Sequence, residues 1–352
     1  MGNEKYIEYK CPNCAGAMEF DATLQQLKCP YCDTAMSVEE YESKYQKEEK
    51  TEKIEEDTGY KVYVCKSCGG EIITDETTGA TGCPFCGNNI VVEAAFDGNF
   101  KPDYIIPFKI EKRVAKDGFR EHLKGKKFVP NSFKQESFID EIKGVYVPFW
   151  LFSTRAYVDA KYEGTRDTVY TRGEYRVTET KHYDLIRQGS INYESVPADG
   201  SKKMDDDMMQ AIEPFNFSEH VDFKKAYLAG YLAERYDVEA KDVEGIVEGR
   251  IENSAKDLVR NTISGYSSVT ARKNDVTLED EKIKYALFPV WMLNVKWNGD
   301  IYAFAMNGQT GKFIGDIPID DHAYHMYIMR MTLIIGIILS IILVFVYMFV
   351  FL

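Results

Sequence analysis

The sequence predicts an α+β protein with a β-rich central domain and a single membrane-spanning helix at the C-terminal end. Three observations lead to this prediction. All eight cysteines occur in Cys-x-x-Cys pairs within the first 86 residues, alternating apolar and polar residues mark strands in the middle of the chain, and residues 331–352 contain no charge. The 352 residues are too many for one compact core and enough for two or three domains.

The four cysteine pairs form two units with equal spacing. Fourteen residues separate the two pairs within residues 11–32, and fourteen separate the pairs within residues 65–86. Two pairs that face each other across a short hairpin supply the four soft ligands of a tetrahedral zinc ion. The sequence therefore predicts two zinc ribbons, with one structural Zn²⁺ each, held by Cys11, Cys14, Cys29, Cys32, Cys65, Cys68, Cys83 and Cys86.

The spacing also bears on how these sites are built. Equal spacers favour consecutive pairing, although a nested arrangement, in which the first and fourth pairs share a metal, stays open. A closed site with four cysteines leaves no position for substrate, so the metal is expected to fold a segment too small to build a core. Turn-tolerant residues follow each pair and predict positive φ angles, at Ala15, Asp33, Gly69 and Gly87.

The charge of this region disfavours nucleic acid as a partner. Residues 1–100 contain nineteen Asp and Glu, nine Lys and no Arg, and the whole chain has a formal net charge of −13. An acidic surface repels phosphate backbones. Between the two ribbons, residues 39–57 are charged and lack Gly and Pro, which predicts an exposed helix or an extended spacer.

The other end of the chain predicts a membrane anchor. Residues 331–352 would form a helix about 33 Å long, enough to cross the hydrocarbon core of a bilayer. Reduced zinc thiolates place the N-terminal side in the cytosol. No segment follows the apolar run and no signal peptide precedes the chain, so we expect a tail-anchored, single-pass protein of the cell membrane with a cytoplasmic N-terminus.

The middle of the chain contains strand and helix patterns. Residues 144–164 and 285–319 alternate as strands, with a hairpin turn at Asn307-Gly308 and Thr310-Gly311. The segments VPFWLF (147–152) and FPVWML (288–293) share a pattern that suggests a duplicated β unit, with chance resemblance as the alternative. The proline inside each of these strands points to an edge or a bulge. Helices are predicted at 204–212, 224–236 and 238–262, and polar-faced strands between residues 163 and 195.

No catalytic constellation is present in the sequence. It contains no Gly-x-Ser-x-Gly, no phosphate-binding glycine loop and no His-Glu-x-x-His, and its five histidines are scattered. We therefore predict no enzyme activity and no catalytic residues. The predicted domains are zinc ribbon 1 (1–38), a charged linker (39–58), zinc ribbon 2 (59–99), the α+β central domain (100–319), a juxtamembrane segment (320–330) and the transmembrane anchor (331–352).

The tandem cysteine units, the YVPFW and FPVWML segments, residues 211–238 and the apolar tail together resemble the YdjG-like zinc-ribbon membrane proteins of Gram-positive bacteria. The resemblance covers nearly the whole chain. It implies association with PspA-type phage-shock proteins and with SPFH or virion-core-like proteins, which such a protein would recruit to the membrane during envelope stress. It carries over no catalytic residues.

Three hypotheses follow for the function. The first is a membrane-tethered adaptor or scaffold for protein–protein interaction, as a homo- or hetero-oligomer. The second is a zinc-ribbon regulator that binds nucleic acid near the membrane, which a basic stripe would favour. The third is a membrane-bound enzyme that uses the central domain, which a deep pocket with convergent polar groups would favour.

Overall fold

The computed structural model describes residues 6–45, 60–65, 68, 71–84 and 88–351. Within these ranges the strands are β1 (Tyr6–Ile7), β2 (Glu19–Asp21), β3 (Gln26–Lys28), β4 (Ala35–Met36), β5 (Tyr60–Val64), β6 (Glu71–Asp75), β7 (Thr78–Gly82), β8 (Asn89–Val92), β9 (Tyr104–Ile105), β10 (Lys143–Arg172), β11 (Tyr175–Asp199), β12 (Val221–Asp222), β13 (Leu232–Glu234), β14 (Ser268–Trp297), β15 (Asp300–Asn307) and β16 (Phe313–Gly315). The helices are α1 (Val38–Tyr45), α2 (Lys112–Leu123), α3 (Glu136–Ile139), α4 (Asp206–Ala211), α5 (Ala240–Asn261) and α6 (Asp321–Phe351).

One large mixed sheet organises the chain, which confirms the predicted α+β class. Its main path runs β1-β8-β7-β13-β10-β14-β15-β16, with β11 beside β10 and with β9 linking β12 to β14. Two smaller sheets, β2-β3-β4 and β5-β6, belong to the cysteine-containing segments. The hairpin turn predicted at residues 307–311 is confirmed, because β15 and β16 are antiparallel and the Gly311 N–H donates to the Asn307 carbonyl.

The strands β10 and β14 are each 30 residues long, which corresponds to about 100 Å of extended chain. Near β13 and β15 they lie inside the sheet and are buried on both faces, whereas their far halves, together with β11, project as a three-stranded blade. Register shifts near residues 152–155 mark the transition. Beyond it, among the residues that the structure describes, α5 covers one face of the blade and the other face is exposed.

The helix α5 explains which blade residues are apolar. Its buried side chains, Val247, Ile251 and Ala255, follow a helical spacing. They pack with the alternate residues Ala156 and Val158 of β10 in one hydrophobic cluster. The helices predicted at 204–212 and 238–262 are confirmed by α4 and α5.

One sequence prediction for this region is wrong. Residues 224–236 do not form an α-helix: they form a short 3₁₀ turn, Lys225–Leu228, followed by β13. Ala226 and Leu228 are fully buried within the hydrophobic core, and Leu232 and Ala233 pair with β10, so tertiary pairing overrides the local helical pattern. Pro148 lies in β10 between the last pair with β13, at Tyr146, and the first pair with β11, at Phe149. Pro289 lies likewise in β14 between its pairs with β9 and with β15, so each proline occupies a local gap where a strand can do without an N–H donor.

The cysteine-containing segments pack against the central sheet. The N–H of Phe20 donates to the Ala229 carbonyl at 2.8 Å, and β1 pairs with β8. In turn β7 pairs with β13, which pairs with β10. The predicted linker is represented by α1, which buries Val38 and Tyr41, while residues 46–58 lie outside the described residues. The domain boundaries themselves stay a prediction.

The final helix α6 differs from the others because its apolar surface is uncovered. Its most apolar part has a mean hydropathy of 2.8 and is 0% buried. It continues without a break through the predicted juxtamembrane segment and into the predicted anchor. Length and composition make it the one helix among the described residues that could cross a membrane.

Candidate metal centres

The first centre brings four sulfurs together. The Sγ atoms of Cys11, Cys14, Cys29 and Cys32 all lie within 4.8 Å of one another. Cys11 and Cys32 are 3.5 Å apart, as are Cys14 and Cys29. A tetrahedral metal with bonds of about 2.3 Å to sulfur separates its ligands by about 3.8 Å. The cluster therefore fits a tetrahedral ion of the zinc type.

Two matching backbone turns position these sulfurs. The N–H of Cys11 donates to the Gly16 carbonyl at 2.7 Å, and the N–H of Cys29 donates to the Thr34 carbonyl at 2.9 Å. Each turn requires a left-handed residue, and Ala15 and Asp33 have φ angles of 58° and 56°. The positive φ predicted for both residues is confirmed. Such backbone turns leave N–H groups free to face the sulfur ligands.

The hairpin between the pairs holds the two turns face to face. Within it Phe20 of β2 pairs with Leu27 of β3. Both side chains are buried, and so are Cys11 and Cys29, whereas Cys14 and Cys32 are exposed. The centre therefore sits at the surface of the protein, with two ligands anchored in the core and two facing solvent.

The four thiols cannot all ionise without a cation. Burial opposes ionisation of Cys11, but backbone N–H groups of Cys14 and Asn13 lower its pKa to about 6. A backbone N–H from Gly16 favours the Cys14 thiolate, yet the neighbouring sulfurs of Cys32 and Cys29 outweigh it and raise the pKa of Cys14 to about 12. Metal binding would therefore release protons, as expected for a thiolate site.

The second centre repeats this geometry in the residues that are described. The sulfurs of Cys65, Cys68 and Cys83 lie within 4.8 Å of one another, and those of Cys68 and Cys83 are 3.8 Å apart. The Cys83 N–H donates to the Asn88 carbonyl at 2.8 Å, the same five-residue turn as in the first centre. The predicted fourth ligand, Cys86, lies outside the described residues, as do Gly69 and Gly87.

Consecutive cysteine pairs are grouped in both centres, so the nested arrangement does not occur among the described cysteines. Two cysteine clusters could thus bind metal ions. They differ in their surroundings, because the first centre is held by its own three-stranded sheet whereas Cys83 directly follows β7 of the main sheet.

Sequence reasoning missed a polar hollow beside α4. It has a volume of about 510 Å³ and is lined by Asp199, Ser201, Asp205 and Asp206, among others. Burial, together with the neighbouring carboxylates of Asp206 and Asp237, raises the pKa of Asp199 to about 7. Its Oδ2 atom is buried without a hydrogen-bond partner. The run of aspartates after Met204 was visible in the sequence, but their meeting with Asp199 was not.

A cluster of three glutamates was also not predicted from the sequence. Glu244 and Glu248 lie one turn apart on α5, and Glu281 joins them from β14. Burial and the two helical carboxylates raise the pKa of Glu281. The spacing on α5 was visible, whereas the contact with β14 depends on the fold. Exposed acidic groups of this kind are common without an ion, and we assign no metal to them.

These features define a class: an α+β protein with two cysteine clusters able to bind metal and one apolar helix able to span a membrane. The chain belongs to the family of YdjG, since it is 36% identical over 313 residues to the "Uncharacterized protein YdjG" of Bacillus subtilis (strain 168). The alignment covers 89% of this chain and 90% of that relative. No family model matches the chain. No solved structure matches it.

Proposed function

We propose that the protein is a membrane-tethered, non-enzymatic adaptor. It holds one Zn²⁺ in each cysteine cluster, spans the cell membrane once through α6 with the N-terminal side in the cytoplasm, and presents its folded part to protein partners. By the family resemblance, these partners are PspA-like or SPFH-like proteins, which it recruits to the membrane during envelope stress.

One observation carries this proposal: the apolar helix and the blade are attached at opposite ends of the same sheet. The helix α6 begins beside Phe128, because the Asp320 N–H donates to the Phe128 carbonyl. Nearby, the Phe133 ring contacts Tyr302 of β15. Tyr302 pairs with β14 three residues past the β14 residue that pairs with the start of β10, so this contact lies at the end of the sheet opposite the blade. The blade ends at the turn after Arg172, about 105 Å of strand away from Tyr302.

The end of the blade has the composition of a protein-binding surface. Beyond the last pair between β10 and β14, at Thr165, the blade is a two-stranded hairpin of β10 and β11. Its end exposes Val169 by 49%, Tyr170 by 44% and Tyr175 by 77%. Tyrosine and arginine are enriched among the residues that dominate binding energy at protein interfaces, and Arg172 lies at the same end.

The two metal clusters support a structural role for zinc. Cysteine clusters with four ligands leave no open coordination position, so they stabilise a fold and do not bind substrate. Zinc-bound thiolates of this kind favour a reducing compartment such as the cytoplasm. The acidic charge of residues 1–100 is complementary to a partner with basic patches.

The test is recruitment to membranes. The full-length protein is reconstituted into vesicles, and co-sedimentation of a purified PspA-like or SPFH-like protein is measured. We expect Tyr170→Ser to reduce recruitment at least about fivefold, as for a tyrosine that contributes 1 kcal/mol or more to an interface. The matched control is Tyr157→Ser, because Tyr157 is also exposed, by 42%, but lies in the three-stranded part of the same strand, between β11 and β14.

Each outcome has a distinct meaning. Equal recruitment by Tyr170→Ser and wild type would move the binding surface away from the end of the blade. If wild type recruits neither protein but retains nucleic acid in a salt-sensitive manner, the adaptor is wrong and the nucleic-acid-binding regulator replaces it.

A further inference from the structure

A basic segment lies next to α6 in a chain that is otherwise acidic. The formal net charge of the protein is −13, yet residues 112–127 contain seven basic and only two acidic side chains. The basic ones are Lys112, Arg113, Lys116, Arg120, Lys124, Lys126 and Lys127. This segment comprises α2 and the loop after it. The loop contacts the N-terminal end of α6 in space, although the two are far apart in sequence.

Packing holds the loop against the first turns of α6. The ring of Phe128 contacts the rings of Tyr324 and Tyr327, with centroids 5.4 and 5.2 Å apart. The Asp320 N–H donates to the Phe128 carbonyl at 2.8 Å. Phe128 itself has a φ of 64°, which turns the chain toward the helix. These contacts hold the loop that contains Lys126 and Lys127 against α6 at the position of Tyr324 and Tyr327 along the helix axis.

The position of Tyr327 along α6 corresponds to the headgroup layer of a membrane. Tyr327 precedes the uncharged segment 331–352 by four residues, or about 6 Å along the helix. The polar layer on each side of the hydrocarbon core is about 5–8 Å thick. The Nζ atom of Lys127 lies 5.5 Å from the centroid of the Tyr327 ring, and Arg330 is closer still to the apolar segment.

Acidic groups are also present, but most lie further from the apolar segment. Asp320 caps α6, since its Oδ1 accepts the Ala323 N–H at 3.0 Å, and Asp321 is in the first turn. Both are about two turns before Tyr327. Glu121 is paired with Lys124 at 3.2 Å. Asp316 lies near His122, whose pKa is lowered mainly by burial.

The neighbouring groups leave the ammonium of Lys126 available for a ligand. Its Nζ atom lies 2.9 Å from Nε2 of His122, and a neutral imidazole does not cancel the lysine charge. Lys126 and Lys127 are both exposed. Along the helix axis, Lys127 beside Tyr327 and Arg330 therefore lie on the membrane side of Asp320 and Asp321, whereas Lys126 lies beside His122.

We propose that Lys126, Lys127 and Arg330, flanked by Tyr324 and Tyr327, form a binding surface for the phosphate headgroups of anionic phospholipids. Lysine and arginine bind phosphate through charge-assisted hydrogen bonds, and tyrosine is enriched at membrane–water interfaces. Each basic residue near an anionic surface strengthens attraction about fivefold. The inference rests on the proposed membrane anchoring by α6, and adds the lipid class that this anchor prefers.

The test uses the full-length protein in two kinds of nanodisc, one of phosphatidylcholine alone and one of phosphatidylcholine mixed with phosphatidylglycerol. Acetylation of individual lysines by a water-soluble amine reagent is followed by mass spectrometry. We expect Lys126 and Lys127 to react about threefold to tenfold more slowly in the anionic discs at low salt. High salt should reverse this difference. The internal control is Lys161, which is exposed on the blade.

A second measurement uses substitution. In mixed bilayers, phosphatidylglycerol should be enriched among the lipids that co-purify with wild type. The double variant Lys126→Glu/Lys127→Glu should lose this enrichment, and the matched variant Lys161→Glu/Lys181→Glu should keep it. Inorganic phosphate added to discs of phosphatidylcholine should leave the labelling rates unchanged if the site requires a lipid surface.

The outcomes separate this inference from the proposed anchor. Extraction of wild type from vesicles by alkaline carbonate would overturn the anchor. If wild type resists carbonate but its Lys126 and Lys127 react equally in both discs, the anchor stands and the lipid surface is wrong. Slower labelling only after a soluble acidic protein is added would assign the cations to a protein partner instead.

Discussion

Val147 lies directly opposite Phe288 in the antiparallel pairing of β10 and β14. These residues begin the two similar segments, VPFWLF and FPVWML, so the two segments meet at their first residues and run in opposite directions from this point. The surrounding contacts repeat. Leu232 of β13 pairs in parallel with Val145, and Tyr104 of β9 pairs in parallel with Ala286, its equivalent in the second segment.

The same symmetry relates the two tryptophans. Trp150 donates its indole N–H to the Val238 carbonyl at 2.9 Å, and Trp291 donates to the Ile110 carbonyl at 2.9 Å. A helix follows each acceptor, α5 after Val238 and α2 after Ile110. The sheet therefore contains two related units, each with a short strand, a helix and a long strand. The structure supports duplication over chance resemblance.

This symmetry predicts similar effects for two substitutions. Trp150→Phe and Trp291→Phe each remove one indole hydrogen bond to a backbone carbonyl. We expect each to reduce the free energy of unfolding by about 1–3 kcal/mol, because the carbonyl loses its partner. Thermal unfolding of each variant in detergent measures this loss of stability. Trp297→Phe, near the end of the β14–β15 hairpin, is the control and should cost less. A neutral Trp291→Phe would argue against the hydrogen bond.

The metal centres predict a stoichiometry and a difference between them. Purified protein should contain about two zinc ions per chain, by metal analysis. Cys29→Ser and Cys83→Ser should each reduce this to about one. Because β7 leads into Cys83 and pairs with β13, Cys83→Ser should also increase protease cleavage near Leu232, whereas Cys29→Ser should increase cleavage first within the β2–β3 hairpin. One zinc per chain in wild type, or an iron–sulfur spectrum, would contradict the two-site assignment.

Removal of the apolar helix should release the protein from membranes. In the described part of the chain, α6 is the helix long and apolar enough to span, and its apolar part is 0% buried. Deletion of residues 331–352 should therefore move folded protein to the soluble fraction, as measured by sedimentation and circular dichroism. A substitution that keeps the helix, Gly336→Ala, is the control and should stay with membranes. Retention of the truncated protein after a high-salt wash would mean that another surface also binds lipid.

Asp199 predicts a pH dependence of stability. Its pKa is raised from 3.8 to about 7, first by burial and then by Asp206 and Asp237, so the folded state binds a proton that the unfolded state releases. Stability should fall as pH rises between about 4 and 7, by up to about 1.4 kcal/mol per pH unit, and then level off. Asp199→Asn, which keeps an acceptor for the Ser201 N–H, should flatten this decline.

The comparison between wild type and Asp199→Asn is made by thermal unfolding in detergent from pH 5 to 8. Loss of zinc in acid has the opposite sign and affects both proteins, so the difference between their midpoints isolates Asp199. The midpoint of wild type should fall relative to the variant as pH rises. Parallel curves for the two proteins would show that Asp199 is ionised throughout this range.

Local patterns were enough to predict the ends of the chain. The Cys-x-x-Cys spacing predicted which sulfurs meet in the first centre and the positive φ of Ala15 and Asp33, because a turn of five residues is determined by its own residues. The uncharged run predicted α6, because length and hydropathy suffice for a helix of this kind. The period of apolar residues predicted α5, whose buried positions follow it.

The sequence by itself thus determined the features whose physical cause lies within about twenty neighbouring residues. The tertiary structure decided those that depend on partners far along the chain. Residues 224–236 became a turn and a strand because β10 and β7 accept β13 between them. Asp199 acquired its raised pKa from burial and from Asp206 and Asp237. Lys127 reached the level of Tyr327 because Phe128 packs on α6, a contact that spans about 200 residues of sequence.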